Sequence, residues 1–132
     1  MALPGGRRDP ADGDLVTTAI RETAEEVGLV LPRSSLLGPL EDVIPRTPVL
    51  PPIAVRPFVF TLPDRPTIAL NPEVAAARWV PLEDLLHPPT YHPVTIRIRG
   101  EDREMPAYEL EDGIVWGMTE RVVTTLLGHL AE

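Results

Sequence analysis

A chain of 132 residues with 43% hydrophobic content is long enough for one packed core, and a single domain over 1–132 is the expectation. Twenty acidic residues against twelve basic ones, with a net charge of −8, exclude the basic stripe that nucleic-acid binding requires. The lack of cysteine excludes disulfides, thiolate metal sites and a cysteine nucleophile.

In chain order, residues 1–13 read as a turn-rich loop, with Gly5-Gly6, Asp9-Pro10 and Asp12-Gly13 all disfavouring regular structure. Asp14 is the expected N-cap of a helix whose apolar side carries Leu15, Ala19, Ile20, Thr23 and Val27 until Gly28 stops it. An extended piece around Val30-Leu31, a Ser/Gly/Pro loop and a strand near Asp42-Val43-Ile44 follow, then loop punctuation at Val49-Leu50-Pro51-Pro52. Arg56 to Leu62 has the content of a buried strand, with Thr67 to Leu70 as its neighbour and Ala75 to Val80 as another strand.

Pro81 to Leu86 reads as a short helix with proline in its first turn. Val94 to Arg99 and Pro106 to Leu110 form a hairpin turning at Gly100-Glu101-Asp102. Trp116 to Leu130 places Val122, Val123, Leu126, Leu127 and Leu130 on one helical stripe. No basic start joins an apolar run, and prolines interrupt every candidate span, so a cytoplasmic protein with no membrane partner is expected.

Chemistry concentrates in the first helix. Glu22, Glu25 and Glu26 lie at i, i+3 and i+4, which gathers three carboxylates within roughly a 100° arc. Such a cluster is self-repelling on a bare helix and suits a hard cation such as Mg²⁺. Gly5-Gly6 lets backbone groups approach an ion or a pyrophosphate, and Arg21 is placed to orient a carboxylate or meet a phosphate oxygen. On spacing alone, a solvated acidic helix face is the competing reading.

The strings Leu3-Pro4-Gly5-Gly6 through Asp12, and Thr18-Ala19-Ile20-Arg21-Glu22-Thr23-Ala24-Glu25-Glu26-Val27-Gly28-Leu29, resemble the Nudix box. In outline that box is Gly, five residues, Glu, seven residues, then Arg-Glu-apolar-x-Glu-Glu-x-Gly-apolar. Here Asp12 replaces the first Glu, residues 13–20 intervene before Arg21, and Thr23 takes an apolar position. Those departures point to a subfamily, since Pro4-Gly5-Gly6, the downstream Asp12 and Thr18-Ala19-Ile20-Arg21-Glu22-Thr23 are similar to the coenzyme A pyrophosphatase branch. So is the order of later landmarks: Pro57-Phe58-Val59-Phe60, Pro72-Glu73-Val74, Trp79-Val80-Pro81-Leu82, Tyr108 and Ile114-Val115-Trp116-Gly117-Met118-Thr119.

The resemblance implies an α/β (α+β) fold, a Nudix-like α/β/α sandwich around a mixed sheet. It implies a Mg²⁺- or Mn²⁺-dependent pyrophosphohydrolase, with coenzyme A or a derivative cleaved to 3′,5′-ADP and 4′-phosphopantetheine. An NTP, nucleotide sugar or dinucleotide is the alternative substrate, and a catalytically impaired Nudix-like binding module the alternative function. Glu22 and Glu26 would be the principal metal ligands, with Glu25 a further ligand or the base for the attacking water, and Gly5 adding a carbonyl. Glu25, Glu22 and Arg21 form the implied catalytic set, and Arg7 and Arg8 either hold substrate phosphates or are solvated. Glu73 is weighed as an extra acid against an ordinary loop residue. His87, His92 and His129 read as loop or surface histidines without zinc-pair spacing, and Trp79 and Trp116 as packing residues.

The family's box is preceded by strands of the central sheet, whereas here it begins almost at Met1, so the domain reads as N-terminally incomplete. The sheet edge so exposed leads to an expected homodimer.

Overall fold

The computed structural model describes residues 1–45 and 53–131; the expected loop punctuation at Val49–Leu50–Pro51–Pro52 lies outside the described residues. Two compact units are present. One comprises Leu3–Asp42 and Arg56–Trp79, the other Met1–Ala2, Val43–Val55 and Val80–Glu132.

The first unit is organised by helix α1, Leu15–Val27. Asp14 caps it in extended conformation, accepting the Thr17 N–H at 2.8 Å, and is itself gripped by the Arg33 guanidinium. Gly28 ends the helix at φ 71°, donating its N–H to the Ala24 carbonyl at 3.0 Å. A Cβ there would stand 2.7 Å from the Ala69 Cβ, so only glycine lets that segment approach. The approach matters because the last carbonyls of α1 have no partner within the helix. Ala69 N–H donates to the Val27 carbonyl at 2.8 Å and Asn71 N–H to that of Glu26 at 3.1 Å. The Thr67–Leu70 stretch, expected as a strand, thus spends its backbone on the helix end.

Strands β1 (Leu36–Pro39) and β2 (Phe58–Phe60) pair antiparallel, with Leu36 opposite Phe60 and a register shift before Gly38 opposite Val59. The expectation placed β1 in a loop, since Gly38 and Pro39 disfavour strands; its short pairing with β2 overrides that local preference. Pro57, with no N–H to donate, helps shorten the expected Arg56–Leu62 strand to three residues. Val30–Leu31 forms no strand, and neither does Ala75–Val80, whose residues 75–79 are all exposed.

The second unit carries α2 (Leu82–Leu86), the three-stranded antiparallel sheet β3 (Tyr91–Ile98), β4 (Glu101–Leu110) and β5 (Gly113–Trp116), and α3 (Gly117–Leu130). Pro81 sits at the N-cap of α2 rather than inside its first turn. The β3–β4 hairpin turns on Arg99 (φ 50°) and Gly100 (φ 79°), the two left-handed residues that a tight two-residue loop requires. Consequently β4 begins at Glu101, earlier than the expected Pro106. Burial alternates along β3 as a one-sided strand demands. The expected strand near Asp42–Ile44 reduces to a single bridge, Val43 with Val55.

The core of this unit joins Tyr108, Val115, Val123 and Leu127, with Leu85 and Leu110 packed against it. Of the expected α3 stripe, Val122, Val123 and Leu127 are buried while Leu130 is 57% exposed at the last turn. Buried Glu120 accepts from the hydroxyls of Tyr91 at 3.0 Å and Thr124 at 2.7 Å, which compensates its desolvation. Burial, and then Glu120, push the Tyr91 hydroxyl above its ordinary value. This mixture of helices with antiparallel strands accords with the expected α/β class.

Leu127→Ala should cost about 2–4 kcal/mol by leaving a cavity in this core, whereas Leu130→Ala should stay within about 0.5 kcal/mol. Urea unfolding of the two variants measures the contrast.

Candidate metal centre

The predicted site lies within the first unit, where the 3–12 loop meets one face of α1. Its anchor is Asp12, only 4% exposed. Oδ1 accepts from Arg21 Nε at 3.0 Å, while Oδ2 accepts from Arg21 Nη2 at 2.9 Å, the Asp9 N–H at 2.9 Å and the Thr18 hydroxyl at 2.9 Å. The guanidinium therefore meets the carboxylate fork to fork, the strongest geometry available to such a pair. Arg21, the Asp9 amide and Thr18 hold the Asp12 carboxyl well below the usual carboxylate range, against burial that pushes it up. Asp12 in turn raises the affinity of Arg21 for its proton.

Loop and helix are joined by this contact. Arg21 Nη2 also reaches the Arg7 carbonyl at 3.3 Å, and Arg8 donates Nε and Nη2 to the Asp12 carbonyl at 3.2 and 3.1 Å. Arg8 thus spends its fork on the loop backbone, whereas the Arg7 side chain makes no hydrogen bond or ion pair among the described residues. Of the two arginines weighed for substrate phosphates, Arg7 is the one whose side chain is not already engaged.

The three glutamates come together as the helical spacing requires, each with a protein partner. Arg21 Nη1 donates to Glu22 Oε1 at 3.1 Å and to the two Glu25 oxygens at 3.4 and 3.3 Å. Glu26 Oε1 accepts the Gly5 N–H at 3.3 Å, so Gly5 turns its amide toward this acid. At Gly6 a Cβ would stand 2.6 Å from the Glu22 carboxyl carbon, so the glycine is what lets that carboxylate lie against the loop. Burial pushes the Glu26 carboxyl up; the Gly5 amide opposes this, and neighbouring Glu22 and Glu25 add to it.

Among the described residues, no three acidic or histidine side chains stand close enough together to chelate one ion as placed. The donor set nonetheless fits a hard divalent cation: three carboxylates crowd one helix face, and a glycine cradle admits one of them.

Glu73 is exposed, but Asn71 ties its loop to α1: the Asn71 N–H bonds the Glu26 carbonyl, and its Oδ1 accepts the Glu73 N–H at 2.8 Å. The histidines lie elsewhere. His87 caps α2, and His92 Nε2 stands 3.3 Å from Glu109. Trp79 donates its indole N–H to the Pro66 carbonyl at 3.1 Å. Trp116, with Met105, Met118, Glu120 and Arg121, lines a hollow of about 490 Å³ in the second unit that touches no box residue. Sequence reasoning quoted Thr18 only as the first residue of the Thr18–Thr23 string and assigned no role to its hydroxyl, which meets Asp12.

A family model described as the NUDIX domain matches residues 1–98. The chain is 32% identical over 127 residues to a protein of Photorhabdus laumondii named "Uncharacterized Nudix hydrolase NudL", covering 96% of this chain and 66% of that one. Proteins of the same name from Shigella boydii and Escherichia coli are 34% and 33% identical over 128 residues, each match covering 96% of this chain and 64% of the relative. The chain therefore spans about two thirds of the length of the curated relatives it matches. No helix of the described residues is long and apolar enough to cross a membrane.

Because Asp12 is ionised well below the ordinary aspartate value of 3.8, its contribution to stability is present above that value and lost as pH falls toward the folded-state one. Asp12→Asn should therefore lower the urea midpoint at pH 7 and flatten its decline between about pH 5 and pH 2. Urea titrations at both ends of that window check the sign.

Proposed function

The chain belongs to the Nudix domain family, and from that premise we propose that it is a divalent-metal-dependent pyrophosphohydrolase acting on a nucleoside-diphosphate-linked small molecule. The observation carrying this reading is the meeting of Glu22, Glu25 and Glu26 with the Gly5-Gly6 loop and Arg21. In the proposal Glu22 and Glu26 hold Mg²⁺ or Mn²⁺, with the Gly5 carbonyl as a further donor. Glu25, the most exposed of the acids paired with Arg21, is a further ligand or accepts the proton of the attacking water. The bound ion would supply charge neutralisation on the pyrophosphate and a water of lowered pKa.

The remaining roles belong to the chain itself. Arg21 orients Glu22 and Glu25 from its seat on Asp12, and Arg7, with its fork uncommitted, is placed to meet a substrate phosphate. Arg8 contributes by fixing the loop backbone. Coenzyme A or a derivative is the proposed substrate, on the order of landmarks from Leu3-Pro4-Gly5-Gly6 to Trp116-Gly117-Met118-Thr119. A cytoplasmic homodimer completes the reading, and exposed Val30 and Leu37 of the first unit supply apolar surface for a partner copy.

With Mg²⁺ or Mn²⁺, the purified chain should release 3′,5′-ADP from coenzyme A, measured by chromatography. Glu26→Gln should lower the rate by about 100-fold or more. Turnover of an NTP, nucleotide sugar or dinucleotide instead would move the substrate assignment. No turnover across that panel would overturn the enzymatic reading.

A further inference from the structure

Arg21 occupies a position that a metal site does not obviously tolerate, because its Nη1 holds two of the carboxylates an ion would need. A guanidinium is a permanent cation, so it competes with a divalent ion for the same negative charge. What limits that competition is the opposite edge of the fork. Nε and Nη2 are bound to Asp12 at 3.0 and 2.9 Å, leaving one nitrogen to face Glu22 and Glu25. Arg21 is 30% exposed and Asp12 4%, so the Asp12 side is the drier half of the network and the better held.

Asp12 needs its own orientation to hold both nitrogens, and two donors fix it, the Asp9 amide and the Thr18 hydroxyl. Thr18 is buried on the first turn of α1. Its one proton has two acceptors within reach, Asp12 Oδ2 at 2.9 Å and the Asp14 carbonyl at 3.4 Å. The shorter contact to a charged oxygen is the stronger, so the proton serves Asp12. Replacing the hydroxyl by a methyl of equal size leaves the Asp9 amide as the one remaining orienting donor on Oδ2, which loosens the two-nitrogen match and gives the guanidinium more freedom to swing toward the glutamates.

We propose that Thr18 is a positioning residue that tunes divalent-cation affinity, by orienting Asp12 so that it retains two nitrogens of Arg21 and restrains that guanidinium from displacing the ion at Glu22 and Glu25. The proposal rests on the metal-site reading above, and its test separates the two. Mn²⁺ binding to the full chain, followed by the electron paramagnetic resonance signal of the free ion, needs no turnover and no substrate.

Thr18→Val should weaken Mn²⁺ binding by about fivefold, the worth of one modest hydrogen bond to a charged group, while Thr18→Ser restores wild-type affinity. In an Arg21→Gln background, Thr18→Val should have no effect, because the competitor is gone; non-additivity of this kind is the signature of a coupled pair. Equal weakening in both backgrounds, or none in either, overturns the proposal while leaving the metal site standing. Absence of Mn²⁺ binding to the wild-type chain overturns the metal reading itself. Should Arg21→Gln not fold, the Arg21 Nε–H proton read by NMR replaces it: Thr18→Val must speed its exchange with solvent, and an unchanged rate overturns the proposal.

Discussion

The charge-paired contact between Asp12 and Arg21 is the constraint on which the rest of the site depends. It buries a carboxylate almost fully, and burial of that kind is tolerated only because four donors converge on two oxygens. A loop that contains Gly5 and Gly6 has little intrinsic reason to hold one conformation there. The contact gives it one, since Arg21 belongs to a helix fixed at one end by the Asp14 cap and at the other by the Ala69 and Asn71 amides. Gly5 and Gly6 then lie against Glu26 and Glu22 as a consequence of where Asp12 sits.

That geometry reconciles two demands that pull apart. Three carboxylates on one helix face repel each other, and the raised proton affinity of Glu26 records part of that repulsion together with its burial. Arg21 relieves it by lending Nη1 to two of the acids. A site that only relieved repulsion would be a structural ion-pair network. By holding the guanidinium mainly through its Asp12 edge, the protein leaves Glu22 and Glu25 with a single shared nitrogen, and in the proposed function a doubly charged ion would take that nitrogen's place.

Helix α1 was legible in the sequence because its signals are local: an Asp cap, an apolar stripe and a glycine stop all act within one turn of the residues that carry them. The glutamate cluster followed from the same periodicity. The 67–71 stretch was not legible as a helix-end partner, because strand-like composition does not reveal which backbone groups will need its amides. Residues 75–79 failed as a strand for a related reason, since β pattern alone supplies no partner edge. At the site, the Glu-to-Asp departure at residue 12 and the longer 13–20 spacing are visible in the sequence; that the shorter acid still meets Arg21 with both oxygens is a property of the loop's path. Thr18 and Arg8 both act on Asp12, across six and four residues, for which no periodic signal exists.

What a bound ion does to the Arg21 network is the decisive property of this site. Crystals soaked in Mn²⁺ and measured at an energy where manganese scatters anomalously test it directly. The predicted map has a peak bounded by Glu22 and Glu26, with Arg21 still forked onto Asp12 and Nη1 withdrawn from the acids. A peak elsewhere, or one that appears only where Arg21 has left Asp12, would contradict the claim that this anchor builds the metal centre.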